Sequence, residues 1–277
     1  MGDIGHKVKR AAFEGVLEKV LKDVKKDREA TLLKLIDMTE DLMKDHIDTA
    51  IYPNARKLVK DPDSKWMKYF DTLVDEIDPY VLKMTLMNLG FESMLAGTKQ
   101  MHKMREKYNC NIPWVILMDP TSACNLHCTG CWAAEYGHTL SLSYEELDRI
   151  VTQGKELGVH FYMYTGGEPL VRRADIMKIC KKHNDCMFLA YTNGTLVDEE
   201  YCKEMQQAGN LALAISLEGY EEVNDGRRGA GVFDKVMHAM DLLKQYGLVF
   251  GTSICYTRNN IETVTSDEFL DMIIAKG

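Results

Sequence analysis

The spacing of apolar residues divides the chain into two parts with different periodicities. From Lys7 to about Asn109, apolar side chains recur at intervals of three and four residues, which is the pattern of amphipathic helices. The first of these stripes comprises Phe13, Val16, Leu17, Val20, Leu21 and Val24. Further helices are predicted around residues 29–46, 63–76 and 79–106, with breaks at Pro53, Pro62 and Pro79. Residues 1–110 are therefore predicted to form a helical region.

After Pro113 the pattern changes to short apolar runs that alternate with helical segments. Five runs are predicted as β-strands: residues 114–118, 159–164, 187–191, 211–217 and 249–256. A capping box from Ser143 to Glu146 begins a helix that is predicted to end near Gly158. The other predicted helices lie near residues 173–183, 198–208 and 231–246, and after Asp267. Repeated strand-then-helix units predict an α/β fold for residues 111–277, with a parallel sheet whose helices cover one face.

The polar and glycine-rich clusters of this second part all follow predicted strands. In chain order they are CNLHCTGC, TGGEP, YTNG, SLEG and YTRNN. In barrels built from parallel strands, the reactive groups lie on loops at the carboxyl ends of the strands. The sequence therefore predicts one functional rim, formed by the loops that follow the five strands.

Composition and charge exclude several classes of function. The net charge of −8 argues against nucleic acid as a bulk electrostatic partner. The most apolar stretch, residues 81–97, contains Lys83, Asn88 and Glu92, so no membrane span is predicted. The chain does not open with the pattern of a secretory signal peptide, and a cytoplasmic, reducing environment is expected.

Three of the eight cysteines are clustered, at Cys124, Cys128 and Cys131. Three thiolates cannot complete a four-coordinate site, and an iron–sulfur cluster held by three cysteines leaves one iron open to an outside ligand. The alternative is a zinc site with His127 or His138 as the fourth ligand, although zinc ribbons supply two cysteine pairs and no second pair occurs here. The scattered cysteines are interpreted as buried free thiols: Cys110, Cys180, Cys186, Cys202 and Cys255, of which Cys255 falls near the end of a predicted strand.

The C-x3-C-x2-C motif followed by Gly166-Gly167-Glu168-Pro169 resembles the radical S-adenosylmethionine (radical SAM) superfamily, over about residues 112–277. The resemblance implies a partial (β/α) barrel and a [4Fe–4S] cluster bound by the three cysteines. It also implies that the methionine end of SAM chelates the open iron and that the GGE stretch contacts the SAM ammonium, with Glu168 as its charged partner. The family core has six strand–helix units and this sequence shows five, so we expect either a chain truncated before the sixth strand or another element over the open edge.

The resemblance also implies further residues that contact SAM. These cofactor-binding candidates are Asn193, Ser216, Glu218 and Arg228. Ser216 and Glu218 are placed two apart on one strand and hence on one face. Arg227 and Arg228 lie in DGRRGAG, which is similar to a stretch of the peptide-modifying relatives, and one of them is expected to clamp the SAM carboxylate. The family usually has an aromatic residue at the position of Gly130; Trp132 is the candidate for packing against adenine.

The function that the resemblance implies is reductive cleavage of SAM to a 5′-deoxyadenosyl radical, which abstracts hydrogen from a peptide, a lipid or a small metabolite. An electron donor such as flavodoxin or ferredoxin and an anaerobic setting are expected, for an oxidoreductase or a transferase. The alternative is a non-catalytic metal module for electron transfer or structure. No catalytic side chain is assigned: His127, His138 and His160 are interpreted as structural, and Tyr162, Tyr164 and Tyr191 as barrel core.

Two features of the helical region leave alternatives open. Helix packing is favoured for the methionines at 84, 87, 94, 101 and 104, with a substrate tunnel as the alternative. For residues 1–30, packing on the catalytic domain is favoured over binding at a membrane surface.

Overall fold

The computed structural model describes residues 4–43, 50–133, 137 and 139–277. Contacts divide the chain into two compact units, Met1–Pro79 and Tyr80–Gly277. The sequence places the start of the catalytic core near residue 111, and that functional division stays a prediction. By contacts, the helices that follow residue 79 belong to the unit that contains the sheet.

The first unit is helical, as predicted. Its helices are α1 (Ile4–Val24), α2 (Arg28–Met43), α3 (Ile51–Lys60) and α4 (Lys65–Glu76). Their small core comprises Val24, Leu32, Val59, Met67 and Val74. Of the stripe predicted on α1, only Val24 is buried. Residues 44–46, the end of one predicted helix, lie outside the described residues.

Pro53 was expected to break a helix, and this prediction is wrong. The residue lies in the first turn of α3, a helix that the apolar pattern did not predict. Proline is tolerated there because the first backbone N–H groups of a helix have no carbonyl partner within it.

The second unit begins with a helical run where one continuous helix was predicted. It consists of α5 (Pro79–Thr85), a π-helix (Leu86–Gly97) and α6 (Thr98–Tyr108). The wider turn of the π-helix shifts the phase of the side chains, so the methionines do not form one stripe. Met84, Met87 and Met101 are buried, whereas Met94 is 56% exposed.

Five parallel strands form one sheet in the order β1-β2-β3-β4-β5. The strands are β1 (Val115–Met118), β2 (Phe161–Tyr164), β3 (Met187–Thr192), β4 (Leu211–Ser216) and β5 (Phe250–Ser253). Between and after them lie α7 (Tyr144–Leu157), a 3₁₀ turn (Pro169–Arg172), α8 (Arg173–Lys182), α9 (Glu199–Ala208), α10 (Glu221–Arg228), α11 (Val232–Gln245), α12 (Ile261–Val264) and α13 (Asp267–Lys276). This architecture confirms the α/β, partial-barrel prediction. The sequence did not predict α10.

Local sequence explains where the elements begin and end. The capping box at Ser143 is formed in full, and α7 ends at Gly158, whose φ of 96° suits glycine. Tyr162 and Tyr164 of β2 are buried, and their rings lie 5.7 Å from that of Phe188 on β3. Both tyrosines thus belong to the core, as predicted.

No helix within the described ranges is long and apolar enough to cross a membrane.

Candidate radical SAM site

The cysteine loop follows β1 and is fastened at both of its ends. The backbone N–H of Ser122 donates to Leu140 O at 2.8 Å, and that of Leu142 donates to Pro120 O at 3.0 Å. These bonds join the chain before the cysteines to the chain just before α7. The loop between them carries Cys124, Cys128 and Cys131 as half-buried free thiols.

The glycine loop after β2 lies directly against the cysteine loop. Gly167 N donates to Thr121 O at 2.9 Å, and Glu168 N donates to Ala123 O at 2.8 Å. A Cβ on Gly167 would lie 2.2 Å from Ala123 O, a distance that no real Cβ tolerates. Glycine is therefore required at 167 because the backbone of the cysteine loop occupies the space of a side chain.

Glu168 joins the glycine loop to the end of β3. Its carboxylate is buried, with Oε1 accepting from Leu170 N at 2.9 Å and from Thr192 Oγ1 at 2.7 Å, while Oε2 accepts from Asn193 N at 2.7 Å. Burial raises the pKa of Glu168, and these hydrogen bonds oppose the rise. The sequence assigned this carboxylate to the SAM ammonium; in the structure it also fixes two strand ends.

Asn193 connects the end of β3 back to the cysteine loop. Its Nδ2 donates to Asn125 Oδ1 at 2.8 Å, and Asn125 Nδ2 donates to Thr195 Oγ1 at 2.8 Å. Asn125 lies between the first two cysteines of the motif, and sequence reasoning did not select it. The signal was available, because an amide inside the cysteine loop and another at a strand end can each donate and accept.

Beyond β4, a buried ion cluster forms between Glu218 and two arginines of α10. Arg228 Nη2 donates to Glu218 Oε1 at 2.7 Å and its Nε donates to Oε2, while Arg227 Nη1 donates to Oε1 at 3.0 Å. β4 ends at Ser216, and Glu218 lies in the loop that follows, so the argument from one shared strand face does not apply. The arginine expected to clamp the SAM carboxylate is held by a carboxylate of the protein itself.

The same arginines reach the cysteine loop. Thr129 N donates to Arg227 O at 2.8 Å, Arg227 Nε donates to Thr129 O at 3.2 Å, and Arg228 Nη1 lies 3.9 Å from Cys128 Sγ. The loops after β1, β2, β3 and β4 are thus linked by direct hydrogen bonds. In the fifth cluster, Asn260 Nδ2 donates to Glu218 O at 2.9 Å, so the five predicted strand-end clusters meet on one rim, as predicted.

The three cysteines of the rim are half-buried free thiols, the donor type of iron–sulfur clusters and of zinc sites. Within the described ranges, no three His, Cys, Asp or Glu side chains form a group that could hold one metal ion. Burial raises the pKa of Cys124 and of Cys128, so a metal that binds their thiolates would displace their protons.

Other candidates from the sequence lie apart from this rim or outside the structure. His160 directly precedes β2, at the amino-terminal end of the strands and hence away from the rim. Its Nδ1 donates to Asp185 O at 3.0 Å. Trp132 is 59% exposed beside the cysteine loop. Cys180, Cys186 and Cys202 are buried, whereas Cys110 and Cys255 are exposed, so the interpretation of these last two as buried thiols is wrong. His138, a candidate zinc ligand, lies outside the described residues.

An α/β partial barrel with three cysteines and a glycine loop on one rim defines a class of metal-dependent enzyme. The sequence matches the Radical SAM superfamily over residues 118–273, and the chain belongs to this superfamily. Enzymes of the superfamily use a [4Fe–4S] cluster and SAM.

Relatives with curated names share this part of the chain. Fe-coproporphyrin III synthase of Methanosarcina barkeri is 27% identical over 54% of this chain and 39% of its own length. Mycofactocin maturase MftC of Mycolicibacterium smegmatis is 28% identical over 60% of this chain and 43% of its own length. The chain therefore spans less than half the length of these two relatives.

A solved structure shows the same fold. SuiB of Streptococcus suis, crystallised with the precursor peptide SuiA, superposes with a TM-score of 0.55. The superposition covers 66% of this chain and 42% of SuiB, at 21% identity.

Proposed function

We propose that this chain is the core of a radical SAM enzyme that cleaves SAM reductively and removes a hydrogen atom from a substrate. The observation that carries the proposal is the close approach of the glycine loop to the cysteine loop, where a Cβ on Gly167 would lie 2.2 Å from Ala123 O. That contact fixes the glycine loop beside the three thiols, where a ligand of the open iron would extend. When bound, the reduced cluster and SAM supply a 5′-deoxyadenosyl radical.

The residues of the rim have separate roles in this proposal. Cys124, Cys128 and Cys131 hold three irons of the cluster. Gly166 and Gly167 present backbone carbonyls to the methionine end of SAM. Among the residues that the structure describes, Glu168 Oε2 accepts one hydrogen bond, from Asn193 N, so it retains a lone pair for the SAM ammonium.

Four further residues complete the SAM site. Asn193 and Ser216, at the ends of β3 and β4, supply amide and hydroxyl groups for the polar parts of SAM. Glu218 and Arg228 form an ion pair that lines the same space. Their side chains are 2% and 11% exposed, respectively. A buried pair of this kind orders the loop that it joins, because either charge alone would be costly to bury.

The substrate is left unassigned within this proposal. One relative is named as a porphyrin synthase and another as a maturase, so their names point to different substrates. The proposal therefore covers the step before the substrate reacts, which is the reductive cleavage of SAM. A peptide, a lipid and a small metabolite are the classes to be tried, with flavodoxin or ferredoxin as the electron donor.

The proposal is tested by anaerobic reconstitution with iron and sulfide. We expect about four irons and four sulfides per chain, and release of 5′-deoxyadenosine after addition of dithionite and SAM. Cys128→Ser should lose both, whereas Cys110→Ser, which removes an exposed thiol outside the motif, should keep both. One tightly bound zinc per chain with no 5′-deoxyadenosine would instead establish the non-catalytic metal module.

A further inference from the structure

Arg228 divides its guanidinium between a carboxylate and a cysteine sulfur. The Nε and Nη2 groups donate to the two oxygens of Glu218, and the remaining nitrogen, Nη1, lies 3.9 Å from Cys128 Sγ. An arginine presents its donors in a fixed planar fork, so the bidentate bond to Glu218 determines where Nη1 points. The ion pair thus aims a cationic donor at one thiol of the motif.

The position of α10 supports this arrangement from the backbone as well. In the last turn of α10, Arg227 O accepts a hydrogen bond from Thr129 N of the cysteine loop. The helix ends at Gly229, whose φ is 110°. The side chain of Asp225 accepts from Phe233 N at 2.7 Å, which ties the following turn to α11. Arg228 therefore sits on a segment held at both ends, next to the residue that follows Cys128.

From this geometry we infer that Arg228 raises the reduction potential of the cluster by acting on the Cys128 thiolate, and that Glu218 counteracts it. The inference rests on the proposed function, because it requires that Cys128 bind iron. Hydrogen bonds to cluster sulfurs, local charge and burial set the potentials of iron–sulfur clusters. Reduction of the cluster adds one negative charge, and a nearby guanidinium stabilises that charge more than it stabilises the oxidised state.

The role differs from the one that the sequence suggested. An arginine whose role is to clamp the SAM carboxylate would affect SAM affinity, and its removal would change the potential mainly when SAM is bound. An arginine that acts on Cys128 changes the potential before SAM is added. Measurements on the reconstituted protein without SAM therefore separate the two roles.

The experiment compares R228Q, E218Q and R228K with the wild type. Cluster reduction by a low-potential one-electron donor is followed by electron paramagnetic resonance at fixed potentials, without SAM. We expect R228Q to lower the ratio of reduced to oxidised cluster about tenfold at a given potential, a midpoint shift of about 59 mV to more negative values for one electron. E218Q should shift the midpoint in the positive direction, and R228K, which keeps the charge, should lie between R228Q and the wild type.

Opposite signs for R228Q and E218Q distinguish an electrostatic role from a structural one. Both substitutions break the same ion pair, so a merely structural role would shift the midpoint in the same direction in both variants, or in neither. Either of those results overturns the inference. If R228Q fails to hold a cluster, E218Q decides: a positive shift supports the inference and an unchanged midpoint overturns it.

The wild type separates this inference from the proposed function. A wild-type protein that assembles no iron–sulfur cluster overturns both. A wild type that holds a cluster and releases 5′-deoxyadenosine, with the same midpoint in all variants, overturns only the role of Arg228.

Discussion

The carboxylate of Glu168 accepts a hydrogen bond from the backbone N–H of Asn193 at 2.7 Å. This bond joins the loop after β2 to the end of β3, and the Thr192 hydroxyl and the Leu170 N–H complete the arrangement on the other carboxylate oxygen. A residue that the sequence marked for cofactor binding is therefore also a structural link of the rim. The two roles have different consequences when the side chain is changed.

Glu168→Gln is expected to destabilise the protein even without cofactors. Glutamine has one carbonyl oxygen, so the N–H of either Leu170 or Asn193 faces an NH₂ group and loses its acceptor. An unsatisfied buried donor costs about 1–3 kcal/mol, which urea unfolding of the apoprotein would measure. Thr192→Ser keeps the hydroxyl that donates to Oε1 and accepts from Gly194 N at 3.0 Å, and it leaves both N–H bonds to the carboxylate intact, so it should cost less. Equal stability of Glu168→Gln and the wild type would contradict this account.

Gly167→Ala is expected to prevent assembly of the cluster. The added methyl group would lie 2.2 Å from Ala123 O, so the cysteine loop must move away from the glycine loop. Iron and sulfide content after reconstitution would measure the loss. The matched control is Gly226→Ala on α10, where an added Cβ meets nothing within 4 Å. It should keep its iron and gain up to about 1 kcal/mol of stability, because alanine is the better helix former. Full iron content in Gly167→Ala would refute the prediction.

Two tyrosines of β2 provide a matched test of core hydrogen bonding. The hydroxyl of Tyr162 lies 3.0 Å from Val151 O and 2.9 Å from Val159 O, whereas the buried hydroxyl of Tyr164 has no hydrogen-bond partner in the part of the chain that the structure covers. Tyr162→Phe should therefore cost about 1 kcal/mol, the net value of a typical hydrogen bond. Tyr164→Phe should be neutral or stabilising in the same denaturant measurement. A larger loss in Tyr164→Phe than in Tyr162→Phe would show that the hydroxyl has a partner.

Buried histidines should make stability fall in mild acid. Burial lowers the pKa of His183, which is 4% exposed and 2.9 Å from Asp148, and also lowers the pKa of His160. Below about pH 6.5 the unfolded chain then binds more protons than the folded chain. The contribution to the free energy of unfolding is thus full above about pH 6.5 and declines as the pH falls toward the lowered folded pKa.

Urea unfolding between about pH 7.5 and pH 5.5 would measure this decline. Asp148 adds no slope in that range, because hydrogen bonding to Lys182 lowers its pKa and keeps it ionised. The double variant H160Q/H183Q should show a flatter dependence on pH than the wild type. Parallel curves for the two proteins would rule out the histidines as the cause.

Periodicity and motifs were sufficient for the five strands of the second unit and for its helices α7, α8, α9, α11 and α13. The strands are separated by long helices with clear caps, such as Ser143 at the start of α7, so local sequence and tertiary structure agree there. Periodicity and motifs were insufficient for α3 and α10. Pro53 resembles a helix break but occupies a first turn, and α10 is a short, highly charged helix that is stabilised by contacts with the cysteine loop.

The sequence by itself determined the chemistry of this protein: three thiols in one loop, a glycine loop, and polar clusters after parallel strands. These are local properties, set by residue type and spacing along the chain. Only the tertiary structure decided which groups meet: that Gly167 fits against Ala123, that Glu168 joins two strand ends, and that Arg228 faces Cys128. Those contacts join residues far apart in the chain, and their geometry depends on the twist and register of the sheet, which spacing in the sequence does not record.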